Sequence, residues 1–231
     1  MSQLAGKTIL VVGANGAFGS AISEKLMSSG ATVIGTARTA DSSVRLSANL
    51  AARLLLDLEQ PSSIQVLTDY LLAQPADLDG IILASGLVGF GSIAETPAAL
   101  GNRLMQVNAL GPIDLVQRLL PKLHASVLAE REPFVVSISG VIAEAPMPGL
   151  SAYSASKSAL YGFAQAAAKE LRKSRIRWMD TRPGHTESGL AGRAIFGSAP
   201  NFGPGMSVDH VVERIVNGII DDERDLPSAA F

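Results

Sequence analysis

Thr8-Ile9-Leu10-Val11-Val12-Gly13-Ala14-Asn15-Gly16-Ala17-Phe18-Gly19 decides the fold. Thr8–Val12 is a short, continuously apolar, β-branched run, which suits a strand buried on both faces. Three glycines follow at once, at 13, 16 and 19. From 20 to 29 the apolar positions 21, 22 and 26 repeat with helical spacing, and Gly30 is a helix stop. Strand, glycine turn and helix are the context a phosphate-binding turn needs. Glycines let the backbone bend tightly towards a pyrophosphate, and the helix N-terminus offers free N–H groups to the anion. The spacing G-x-x-G-x-x-G differs from the commoner G-x-G-x-x-G. An ordinary strand-to-helix turn is the alternative, and the flanking strand and helix weigh against it.

Outward from that turn the pattern repeats. Strands are expected at Thr32–Ala37, 52–56, 80–84, Phe134–Ile138 and 176–181. Helices are expected at 62–73, 97–107, 113–129, 154–174 and 208–221. Alternation of this kind predicts an α/β, Rossmann-like, doubly wound parallel sheet with helices on both faces, in one domain over 1–231. Ligands of such sheets bind beyond the carboxyl ends of the strands. Arg38, Asp57, Ser85-Gly86, Ser139 and Pro183-Gly184 all follow strands and are expected to converge there. An acid at the tip of the second strand would hold the ribose hydroxyls of NAD. The tip reads Ala37-Arg38-Thr39, and Arg38 can pair with a 2′-phosphate, favouring NADP over NAD; a solvated surface arginine is the alternative.

Composition narrows the class. The chain has 231 residues, 47% hydrophobic and 17% charged, which suits one large core. The formal charge is −2 with no basic block, so neither nucleic acid nor an anionic membrane is an expected partner. There is no cysteine, which excludes disulfides, a thiolate nucleophile and cysteine–metal sites. The start does not read as a signal peptide and no apolar run would span a bilayer, so a cytoplasmic protein is expected. His124, His185 and His210 are scattered without ligand spacing, and no metal site is expected.

Tyr153-Ser154-Ala155-Ser156-Lys157 carries the chemistry. Residues four apart share a helix face. A phenol titrates near ~10, and a nearby ammonium favours its ionised form, making the pair a general acid or base. Alone, Tyr-x-x-x-Lys is a common accident, and the rest of the chain gives it meaning.

From about Lys7 to Ser188 the chain resembles the short-chain dehydrogenase/reductase family. Gly13-x-x-x-Ala17-Phe18-Gly19 is similar to the family's TGxxxGIG turn, with Val12 for Thr, Ala17 for the middle Gly and Phe18 for Ile. Asp57-Leu58 resembles the acidic pair that contacts adenine, and Leu83-Ala84-Ser85-Gly86 stands in the place of NNAG, keeping only its Gly. Asn108 resembles the family's helix-kinking asparagine, Tyr153-x-x-x-Lys157 the catalytic pair, and Pro183-Gly184 the PG motif, with Ser188 where a cofactor-binding Thr often lies. The resemblance implies hydride transfer between NADP(H) and a ketone or secondary alcohol. It implies cofactor contacts at Gly13, Asn15, Gly16, Phe18 and Gly19, then Arg38, Thr39, Asp57 and Leu58. It extends them to Ser85, Gly86, Tyr153 and Lys157, and to Pro183, Gly184, Thr186 and Ser188. Tyr153 would exchange the proton, Lys157 would lower its pKa and bind the nicotinamide ribose, and Asn108 would hold a water linking Lys157 to solvent.

One position departs from the pattern. The family serine that holds the substrate oxygen lies thirteen residues before the tyrosine, and that position is Gly140. Either Ser139 substitutes through a local bulge, completing a catalytic set of Tyr153, Lys157, Asn108 and Ser139, or that hydrogen bond is missing. In the second case activity is weak, or the protein is a non-catalytic dinucleotide-binding sensor or partner. The glycine-rich stretch 186–206 is expected to be a mobile lid, and its Leu190, Ile195, Phe196 and Phe202 point to an apolar substrate. The usual final strand is not evident after the helix at 208–221, so a homodimer is expected before a tetramer, through the helices at 113–129 and 154–174.

Overall fold

The computed structural model describes residues 3–231. Seven parallel strands lie in the order β3-β2-β1-β4-β5-β6-β7. They are β1 Thr8–Val12, β2 Thr32–Ala37, β3 Ala52–Leu55, β4 Gly80–Leu83, β5 Phe134–Ile138, β6 Arg177–Thr181 and β7 Asp225–Leu226. The chain winds outward from β1 to β3 and then returns to place β4 on the other side of β1. That reversal opens a crevice at the carboxyl ends of β1 and β4, where ligands of open α/β sheets bind.

Side-chain alternation along the strands sorts the core into two layers. Ile9, Val11, Val136 and Met179 face helices α1 (Ala17–Ser28) and, near the C-terminus, α7 (Val208–Ile220). α1 buries Gly19, Ile22, Ser23 and Leu26, a helical stripe ending at the residues that cap the turn into β2. On the other face Leu10, Val12, Val135 and Trp178 meet α3 (Pro61–Ala73), α5 (Gly111–Leu128) and α6 (Ser151–Leu171). Pro61 opens α3, where its missing N–H costs no intrahelical bond.

Three features differ from the sequence expectation. A one-turn helix, α2 (Ala40–Ser43), follows β2; its Thr39 cap and Ser42 bond each other reciprocally, a local arrangement too short to show periodicity. The expected helix at 97–107 is α4 (Ala98–Met105), continued by a π turn, Gln106–Leu110, into α5. Such turns are frequent at functional sites. A final strand, β7, does exist: Asp180 pairs in register with Asp225 and Thr181 with Leu226. It is two residues long, and tertiary contacts with Arg182 rather than a hydrophobic pattern hold it in place.

Candidate active site

A cavity of about 570 Å³ opens along the carboxyl ends of the strands. Gly13, Asn15, Gly16 and Phe18 line the wall formed by the glycine turn. Gly13 adopts φ +79, a left-handed conformation that favours glycine, and an added Cβ would stand 3.0 Å from the Ser85 backbone. Gly19 does not line the cavity; an added Cβ there would come within 2.1 Å of the Gly13 carbonyl oxygen, so its smallness lets α1 pack against the turn. Thr36 Oγ1 accepts the Gly13 N–H at 3.1 Å, tying the turn to β2.

The β2 end carries Arg38 and Thr39 into the cavity wall, and Arg45, just beyond α2, joins them. Sequence reading missed Arg45, because nothing in its own neighbourhood announced the short helix that brings it round. Arg38 is half exposed and lies 3.6 Å from Glu59, whose carboxylate takes two N–H bonds from Arg103. Asp57 and Leu58 line the adjoining wall; Asp57 Oδ1 accepts the Glu59 N–H at 3.0 Å and fixes that turn.

Another part of the cavity is built on α6. Tyr153 and Lys157, one turn apart, both line the cavity. Lys157 is 6% exposed and its Nζ donates to the Ile138 carbonyl at 2.7 Å. Burial lowers its pKa to about 8, against which the negative charge of Asp180 works. Burial pushes the Tyr153 phenol up to about 12. Before any ligand binds, desolvation thus outweighs the expected lowering by the lysine.

Asn108 sits in the π turn and does not line the cavity. Its Oδ1 accepts the Leu87 N–H at 2.8 Å and its Nδ2 donates to the Leu87 carbonyl at 2.9 Å. Nδ2 also donates to Ser156 Oγ, which in turn donates to the Tyr153 carbonyl at 2.7 Å. Its side chain therefore clamps the Ser85-Gly86-Leu87 loop to α6; both amide hydrogens are spent, and Oδ1 keeps one lone pair open.

Ser139 is placed differently from the expectation. The anticipated bulge is present: the N–H groups of Ser139 and Gly140 both donate to the Thr181 carbonyl, at 3.0 and 3.2 Å. Gly140 has φ +76. Yet the Ser139 hydroxyl is fully buried and donates to Asp180 Oδ1 at 2.5 Å, with no hydrogen bond to Tyr153. The bulge turns the chain after Ser139, so the serine keeps the inward direction it shares with Ser137.

Pro183, Gly184, Thr186 and Ser188 line the last wall. The stretch 186–206 lies closed over the site: Ile195 N–H donates to the Val88 carbonyl and Phe90 N–H to the Phe196 carbonyl, both at 2.9 Å. Beneath it Val88, Phe90, Ile142 and Leu150 form an apolar cluster that also receives Tyr153, Leu190 and Phe202.

The sequence profile of the short chain dehydrogenase family matches residues 7–195. The chain belongs to this family. It is 29% identical over 242 residues to a "Dehydrogenase/reductase SDR family protein 7-like" of Drosophila melanogaster, covering 97% of this chain and 73% of that protein. It is 27% identical over 188 residues to the 3-oxoacyl-acyl-carrier-protein reductase FabG of Escherichia coli K12, covering 80% of this chain and 75% of that one. Among solved structures, landomycin C-6 ketoreductase LanV with bound NADP and rabelomycin superposes with a TM-score of 0.80 at 25% identity, over 99% of this chain and 97% of that one. The chain is thus a dehydrogenase/reductase with a Rossmann-type sheet. Among the described residues, no helix is long and apolar enough to cross a membrane and no group of three or more His, Cys, Asp or Glu could hold a metal.

Proposed function

We propose that this enzyme uses NADP(H) to interconvert an apolar ketone and its secondary alcohol. The observation that carries the reading is Tyr153 and Lys157 side by side in a cavity whose far end presents Arg38 and Arg45. The residues fit a dinucleotide. Gly13 and Gly16 leave the backbone bare at the helix N-terminus, and Ser85 Oγ is buried without a protein partner. Asp57 and Leu58 would flank the adenine, Arg38 and Arg45 a 2′-phosphate, and Lys157, Gly184, Thr186 and Ser188 the nicotinamide half.

A bound nicotinamide supplies the hydride. Tyr153, a neutral phenol below pH ~12, gives its proton to the carbonyl oxygen as the alcohol forms, and takes one in the reverse direction. Lys157, held by the Ile138 carbonyl, faces the same space and stabilises the phenolate left behind. Asn108 keeps α6 and the Ser85-Gly86 loop in register around them. Val88, Phe90, Ile142, Leu150 and Phe202 exclude water and receive an apolar substrate. Gly140 offers no hydroxyl and Ser139 spends its own on Asp180, so one donor to the substrate oxygen is lacking and turnover is modest. The test is NADPH oxidation against a panel of apolar ketones, with Tyr153→Phe as control; a turnover that survives this change rejects the reading.

The dimer proposal rests on α5 and the alanine-rich α6. β7 supplies the edge that sequence reading took to be missing, so light scattering decides between dimer and tetramer.

A further inference from the structure

Behind Lys157 lies a buried ionic cluster that the hydride-transfer reading does not use. Asp180, in β6, is 1% exposed. It accepts from Ser137 Oγ on β5 at 2.6 Å, from Ser139 Oγ just beyond that strand at 2.5 Å, and from the Arg182 guanidinium at 3.0 Å. Trp178 Nε1 donates to Ser137 Oγ at 2.9 Å, which leaves that hydroxyl's proton directed at Asp180. Arg182 is itself shared: Glu144 and Asp225 also grip it, and the Tyr161 ring of α6 lies 4.5 Å beneath its plane.

The placement has two consequences. Ser137 and Ser139 flank Ile138, and it is the Ile138 carbonyl that accepts Lys157 Nζ. A carboxylate holding the side chains on either side of a backbone carbonyl fixes where that carbonyl points. Arg182 divides its charge among Asp180, Glu144 and Asp225, so Asp180 keeps negative charge to offer elsewhere. The groups facing Lys157 are Tyr153 on its own helix, the Ile138 carbonyl from β5 and Asp180 from β6. Asp180 is the acid among them.

We propose that Asp180 is the positioning residue of the catalytic lysine: through Ser137 and Ser139 it sets the Ile138 carbonyl that holds Lys157, and its carboxylate is the counter-charge of that buried ammonium. This rests on Lys157 being catalytic, but its test does not depend on turnover. Burial acts on both partners. It lowers Lys157 to about 8 and raises Asp180 from the ordinary carboxylate value, while the hydrogen bonds from the two serines and Arg182 work against that rise. Removing the carboxylate leaves the ammonium with desolvation unopposed, so Lys157 loses its proton at lower pH.

The experiment is an NMR titration of protein labelled with 13Cε-lysine. The chain has six lysines, and the Lys157 signal is assigned by its loss in Lys157→Met. In Asp180→Asn the Lys157 midpoint is expected to fall by about one pH unit, a tenfold change in acidity. Asp180→Asn leaves Arg182 short of a partner and can fail to fold. The double variant Asp180→Asn/Arg182→Met removes both buried charges, which proteins tolerate better than a lone one. It is expected to show a fall in the same direction. An unchanged midpoint in either folded variant overturns the proposal. Loss of folding in both does so too, because the carboxylate would then be a requirement of the fold alone. Where ketone turnover is measurable, its high-pH limb moves down with the midpoint. A shifted midpoint in a protein that turns over no ketone would reject the proposed function and leave Asp180 as the counter-charge of a buried lysine.

Discussion

Lys157 Nζ and the Ile138 carbonyl oxygen are 2.7 Å apart, a hydrogen bond that joins helix α6 to the end of strand β5. The ammonium is buried there, with little water around it. The consequence is a lysine that titrates near the physiological range rather than above ten.

Burial of that ammonium sets the pH dependence. Lys157 is charged below about 8 and neutral above it, and Tyr153 stays protonated to about 12. The phenol is therefore available as an acid throughout, and the ammonium is what is lost as pH rises. kcat/KM for ketone reduction, which reports the free enzyme, should fall as pH rises through about 8. A profile flat to pH ~10 would show that the charge on Lys157 is not required.

Arg38 and Arg45 should set cofactor choice. Arg38→Ala removes a charge-assisted bond to a 2′-phosphate, at the low end of about 1.5–3 kcal/mol because the side chain is half exposed. NADPH should bind roughly tenfold more weakly and NADH nearly unchanged, with Arg45→Ala acting in the same direction. Equal losses for both cofactors, read by fluorescence titration, would reject the assignment.

Ser139→Ala should affect stability more than chemistry. It takes a buried donor from Asp180, a cost of about 1.5–3 kcal/mol for a hydrogen bond to a charged group. Turnover should change less than about tenfold, since the hydroxyl makes no bond to Tyr153. A hundredfold loss of kcat with the Tm intact would instead put Ser139 in contact with substrate.

Gly140→Ser should not restore the absent family donor. An added Cβ has room, its nearest neighbour being the Pro183 carbonyl oxygen at 3.7 Å, but φ +76 with ψ 162 is a conformation essentially confined to glycine. Strain of roughly 1–3 kcal/mol should lower the Tm by several degrees. A higher kcat at an unchanged Tm would mean that the backbone relaxes and delivers the hydroxyl.

The lid can be loosened at one atom. At Gly197, with φ +63, an added Cβ would lie 2.1 Å from the Phe90 carbonyl oxygen, so Gly197→Ala must push the segment off the 88–91 loop. KM for an apolar ketone should rise at least several-fold while NADPH affinity holds. An unchanged KM would show that the closed segment does not cover the substrate.

Much of the molecule follows from short-range signals. The apolar runs of β1, β4 and β5, the glycine turn at 13–19 and the helical spacing of Tyr153 and Lys157 are each contained within one or two elements. Strand alternation with helices then dictates that the loops bearing Arg38, Asp57, Ser85 and Pro183 share one edge. What the tertiary structure alone decided are partnerships between distant residues. The Ser139 hydroxyl finds Asp180 41 positions away, because β5 and β6 are neighbours and both side chains face α6. Arg45 reaches the cavity only through a one-turn helix, and β7 forms only because Arg182 and β6 hold it. Local pattern fixes which segments are strands and helices, since backbone hydrogen bonding and burial act over a few residues. Which polar group satisfies which is set by packing, because a buried donor takes whatever acceptor the fold brings within reach.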